Sequence, residues 1–150
     1  MHETLLIIHI LSAAAWIGGT FFLGFAGPRM GRAGGPAAGA WIGLVLQAVP
    51  RFFLPVSLLT LASGLLIVTT EEQWYWSDPF VGIGIAAVVI ALSIAFLNNV
   101  PTLKAMIEAA NSGDLPGVAA RARKVTNGGL GIALTLIGAE VVMVLRLGAG

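Results

Sequence analysis

The chain has 150 residues and a net charge of +1, and it is 57% hydrophobic and only 10% charged, with a mean hydropathy of +0.94. Soluble domains carry about a quarter charged residues, so this composition excludes one and describes a single transmembrane domain over 1–150. The absence of cysteine excludes disulfides, thiolate metal sites and thiol redox chemistry. Near-neutral charge without a basic, aromatic-interleaved stripe excludes nucleic acid as a partner.

The first span covers about 4–26. Its uncharged run, TLLIIHILSAAAWIGGTFFLGFAGP, exceeds the roughly 20 residues that cross a bilayer and is expected to close at Gly27-Pro28. Ser12-Ala13-Ala14-Ala15 imitates a signal-peptidase site. The leader has no Lys or Arg and the apolar run continues past Trp16, so a retained helix is expected. Within this span stands His9, the one imidazole at membrane depth, since His2 is the only other histidine. Ionisable groups inside a span are expensive and are functional candidates first. The plainer alternative is an interhelical hydrogen bond worth about 1 kcal/mol. His9, Ser12, Trp16, Gly19 and Leu23 share one helix face, which suits contact with protein or cofactor better than with lipid.

The segment GRAGGPAAGAWIGLVLQAVP is apolar but short and is punctuated by Pro36 and Pro50. It reads as a short interfacial or re-entrant helix between the first and second spans. The second span covers about 52–70, preceded by Arg51 and containing Ser63. The third covers about 79–100. It opens at Pro79, which suits a helix start, and ends at Asn98-Asn99-Val100-Pro101. Residues 102–125 are polar enough for the surface, with NSGDLPG as the turn. The fourth span covers about 127–147 and contains Glu140. Gly35, Gly39 and Gly43 form one small-residue row, and Gly128, Gly131, Thr135 and Gly138 another; both suit close helix packing. The fold expected is an all-α integral membrane four-helix bundle.

Basic residues set the orientation. Arg29, Arg32 and Arg51 fall on the first connection, and Lys104, Arg121, Arg123 and Lys124 on the third, whereas Glu71–Asp78 has none. The positive-inside rule then puts both termini outside, with Trp74, Tyr75 and Trp76 as an outer aromatic belt. At about 1.5 Å per residue, His9 lies roughly 7 Å below the outer end of its helix and Glu140 roughly 10 Å below the outer end of the fourth. Ser63 falls in the same half, so a polar layer of His9, Ser63 and Glu140 is geometrically available. Glu140 then either carries a neutral or helix-bonded carboxyl, or holds the His9 ring or relays protons. A second polar layer, Arg51, Asn98, Asn99, Thr126 and Asn127, lies at the inner side. There Arg51 snorkels to the interface or binds an anionic group such as a lipid phosphate or a propionate.

Residues 9–19, HILSAAAWIGG, resemble the opening helix of the copper-resistance protein D superfamily, a pattern shared by HemJ-type protoporphyrinogen oxidases. The similarity continues at Arg51-Phe52, through Ser63-Gly64, and at Asn98-Asn99-Val100-Pro101-Thr102, similar to the Asn-Glu-x-Pro segment of the HemJ type. The resemblance implies a four-helix membrane bundle and a haem- or porphyrin-related role, with His9 matching a ligand histidine. The HemJ lysine has no counterpart in residues 79–97, and Asn99 stands in place of the glutamate. Those departures argue against porphyrinogen oxidation while leaving the scaffold resemblance in place.

Three functions follow as expectations. The first is a haem b or related tetrapyrrole site using His9, with Trp16, Arg51, Ser63, Glu140 and Asn98 around the cofactor. His2 and His9 sit on one helix, so bis-imidazole ligation requires a homodimer or a partner subunit. The second is copper transport through Met1, His2, His9 and Met143, imidazole and thioether suiting Cu(I). The third is a cofactor-free accessory subunit of a larger membrane complex. No Ser/His/Asp set, paired catalytic carboxylates or phosphate-cradling glycine loop marks a hydrolase or kinase. The composition and topology suit the inner membrane of a prokaryotic cell.

Overall fold

The computed structural model describes residues 2–33, 35–70 and 75–145, with the side chains of 2, 30–33 and 35–37 outside that description. All regular structure among the described residues is helical: α1 (His2–Ala33), α2 (Gly35–Ala48), α3 (Leu54–Thr70), α4 (Pro79–Ser93), α5 (Val100–Asn111) and α6 (Leu115–Val144). Two π-helical segments, Val49–Phe53 and Ile94–Asn99, join α2 to α3 and α4 to α5 without a break. The six helices therefore make four rods. The stretches long and apolar enough to cross a membrane are Glu3–Arg29, Ala38–Thr70, Pro79–Asn111 and Leu115–Val144. The all-α four-helix bundle expected from the composition is the observed fold.

The rods run further than the apolar windows suggest, and the prolines explain how. Pro50 and Pro101 each lack an N–H and crowd the carbonyl four residues back. Pro50 lies within the first π segment, and Pro101 directly follows the second. A π turn inserts an extra residue into the ladder and relieves that conflict. The short helix expected between the first and second spans is present as α2, and it continues through this turn into α3. Likewise the third rod does not stop at Asn98–Pro101 but carries on to Asn111. Pro28 sits inside α1, which continues to Ala33 rather than closing at Gly27-Pro28. Helices destined for membranes tolerate such prolines.

Two connections are fixed by local chemistry. Asp78 accepts the Tyr75 N–H at 2.9 Å, and Pro79 follows it at the start of α4. Asp114 caps α6 by accepting the Gly117 N–H at 2.9 Å, and lies 3.8 Å from Arg121. Gly113, with φ of 75°, supplies the left-handed residue that reverses the chain.

Packing follows the order α3–α1–α6–α4, with α3 and α4 closing the ring only loosely. Rods of 27 to 33 residues are ~40–50 Å long, well beyond a hydrocarbon core of about 30 Å. At the end near the termini, Val68, Phe80 and Val81 form one core cluster, with Met143 packed on it. Trp16, Val88, Ala91, Ile132 and Leu136 form the middle cluster. Ile42, Val45, Leu103 and Met106 form the cluster at the opposite, basic end. Arg32, Met1, His2, Trp74 and the expected end of the fourth span near Leu147 lie outside the described side chains.

Candidate functional site

The α1–α3 contact is built from small and polar side chains three residues apart. Ser57, Thr60 and Ser63 of α3 are buried, as are Ser12, Ala13 and Trp16 of α1. Each hydroxyl first satisfies itself on its own helix: Ser57 on the Leu54 carbonyl, Thr60 on Val56, and Ser63 on Leu59. Ser12 likewise donates to the His9 carbonyl at 3.0 Å. Thr60 and Ser12 also meet across the interface, hydroxyl to hydroxyl, at 2.9 Å. Lipid offers no hydrogen-bond partner, so hydroxyls at this depth are compatible with burial only when paired in this way.

Small residues let the imidazole in. A Cβ built on Gly64 would lie 2.9 Å from His9 Cε1 and 3.3 Å from its Nδ1, so the ring rests directly on the α3 backbone. Nδ1 is 2.9 Å from the Thr60 carbonyl oxygen and 3.2 Å from Ser63 Oγ. A carbonyl only accepts, so Nδ1 carries the proton and Nε2 of the neutral ring carries the lone pair. Among the described residues, Nε2 has no hydrogen-bond partner. A backbone carbonyl on the distal nitrogen is the usual way in which a ligating histidine is oriented.

His9 lines a cavity of about 320 Å³ between α1, α3, α4 and α6, at the end near the termini. Trp16, Gly64, Phe80, Gly84, Glu140 and Met143 contribute to its wall, which is otherwise apolar. Ligand pockets span roughly 300–1,000 Å³, with apolar walls and few convergent polar groups. The polar groups here are His9, Thr60 and Glu140. The loose α3–α4 seam borders the same space.

The structure brings together some of the residues expected from sequence and separates others. His9, Trp16 and Glu140 line this cavity, Trp16 as a buried wall, 3% exposed, and Ser63 lies behind it as a partner of His9 Nδ1. Glu140 shares the cavity with His9, but no hydrogen bond or ion pair joins them. The ring is held by Thr60, not by Glu140. Arg51 and Asn98 take no part. Arg51 is exposed and donates to Gln47 Oε1 at 2.7 Å. Asn98 donates to Asn99 Oδ1 at 2.9 Å, and both asparagines press on Gly128 of α6. Nine residues separate Arg51 from Thr60, ~13 Å of helix.

Two residues escaped the sequence reading. Thr60 acts through its main-chain carbonyl, which leaves no mark on residue type. Gly64 was read only within the Ser63-Gly64 similarity, not as the surface on which the His9 ring rests. Among the described residues, no group of three or more His, Asp or Glu side chains is placed to hold a metal ion. No family model, curated protein or solved structure matches this chain.

Proposed function

We propose that this protein binds haem b or a related tetrapyrrole in the cavity near the termini, with His9 as axial ligand. The observation that carries the reading is the clamped ring: Nδ1 donates to the Thr60 carbonyl, and Nε2 is left unpartnered on an apolar cavity. The similarity of residues 9–19 to the copper-resistance protein D and HemJ pattern supports it. Haem, when bound, supplies one-electron redox chemistry whose potential is tuned by axial ligand, hydrogen bonding and burial. Here Thr60 and Ser63 orient the imidazole, Trp16 walls the cavity, and Glu140 places a carboxyl beside the bound group.

Among the described residues, no lysine or arginine lines the cavity. The described wall offers one imidazole and apolar contact, and Arg51 anchors no carboxylate side group there. His2 and His9 lie on one helix, so bis-histidine ligation calls for a second chain, as a homodimer or a subunit of a membrane complex. The basic residues orient the α2–α5 end toward the cytoplasm and the termini outward, in the inner membrane of a prokaryotic cell.

Copper transport is the second reading, favoured by one observation: the Met143 thioether lines the same cavity as His9. Cu(I) suits that donor pair. The discriminating experiment is expression with added haem precursor, followed by a visible spectrum and metal analysis of the purified protein. A Soret band lost in His9→Ala supports the tetrapyrrole. A colourless protein holding stoichiometric copper, lost in Met143→Leu, replaces it with copper.

A further inference from the structure

The basic end of the bundle carries a second, partly open cavity, of about 120 Å³, that His9 does not line. Along α6 it runs from Ile132 to Val118, a length of ~21 Å. A space so long for so small a volume has the shape of a chain, not of a ring. Its wall is apolar except at Thr20, Asn99 and Thr126. The Thr20 hydroxyl is engaged with the Trp16 carbonyl, and Asn99 Oδ1 with Asn98 Nδ2.

Glycine keeps this space open. A Cβ on Gly24 would meet nothing within 4 Å; on Gly27 it would come no closer than 3.8 Å to Trp41 Nε1, and on Gly129 no closer than 3.9 Å to Thr20 Cγ2. All three lie on the cavity wall. Some glycines elsewhere serve contact, as at Gly19, where a Cβ would lie 3.0 Å from the Phe52 ring, while Gly18, Gly39, Gly43, Gly82 and Gly138 also face open space without lining this cavity. Glycine inside a helix costs backbone entropy, and at Gly24, Gly27 and Gly129 no tight contact offsets that cost. Apolar cavities stay dry, which leaves an apolar occupant, and the surrounding bilayer is its source.

We propose that this cavity binds one hydrocarbon chain of a membrane lipid, threaded lengthwise between α1, α2, α5 and α6. The chemistry required is a long, flexible, unbranched or isoprenoid chain; the headgroup remains outside the apolar wall. The cavity shares only Trp16 with the His9 cavity, so Trp41, which lines this cavity alone, is the specific reporter, and the proposal does not depend on what the other cavity holds.

Two measurements test it on the full-length chain. Native mass spectrometry from mild detergent is expected to show one retained lipid per chain, its mass separating an acyl from an isoprenoid source. Dibromostearic acid is then titrated against protein carrying Trp74→Phe and Trp76→Phe, leaving Trp16 and Trp41 on the cavity wall. Quenching is expected to saturate, and Gly24→Leu or Gly129→Leu, which fill the space, should weaken it about tenfold or more while the circular dichroism spectrum is retained. Absence of both a retained lipid and saturable quenching overturns the proposal, as does a folded filled variant that binds like wild type. If neither filled variant folds, the mass spectrum and the quenching of the unfilled protein decide.

Discussion

The two cavities of this bundle make opposite use of the same residue. Near the termini, Gly64 lets an imidazole lie on the backbone of a neighbouring helix, and the ring is then clamped by a carbonyl and a hydroxyl. At the basic end, Gly24, Gly27 and Gly129 approach nothing closely and leave an apolar void. The first region is a polar device assembled inside a low-dielectric interior, where every donor must find an acceptor. The second offers only shape. Small residues in a membrane bundle thus need sorting by what their missing side chain would meet.

Substitutions at these glycines break or sharpen that contrast. The largest effect is expected at Gly64→Leu, where added atoms must displace a ring held at Nδ1. We expect loss of any His9-dependent spectral band and destabilisation of about 1–3 kcal/mol, the usual range for overpacking, read from thermal unfolding in detergent. Removing the Asp114 cap by Asp114→Ala, at the turn far from the His9 cavity, should cost about 1 kcal/mol without altering that spectrum. Thr60→Val removes the hydroxyl contact with Ser12 but keeps the carbonyl that holds His9. A loss near 0.6 kcal/mol, typical of interhelical bonds in membranes, should come with an unchanged spectrum. Gly24→Ala is expected to be neutral or stabilising by up to about 1 kcal/mol, from helix propensity alone. A Gly24→Ala variant as damaging as Gly64→Leu would erase the distinction between the two regions.

Much of the fold was legible because lipid imposes a simple rule: long uncharged runs become helices. The four rods, the Asp114-Pro116 turn and the shared face of His9, Ser12 and Trp16 follow from residue pattern. The rod ends were not legible. Proline reads as a helix stop, and only the π turns around Pro50 and Pro101 show how the chain continues past it. Depth placed His9, Ser63 and Glu140 in one layer; His9 and Glu140 do line one cavity, and Ser63 lies behind the ring as a partner of Nδ1. Depth alone could not say which group holds the ring, because the answer is a main-chain carbonyl. Arg51 and Asn98 share polarity with a binding site, but Arg51 is spent on Gln47 one turn away on its own helix and Asn98 on the adjacent Asn99.

The central claim is that His9 Nε2 is an open ligand position. Its most direct test is the oxidised-minus-reduced visible spectrum of the purified protein beside His9→Ala and Gly64→Ala. The account predicts a Soret band in wild type, its loss in His9→Ala, and a shifted or weakened band in Gly64→Ala, where the ring must move. A haem-replete preparation with no band, or a band that survives His9→Ala unchanged, would contradict it.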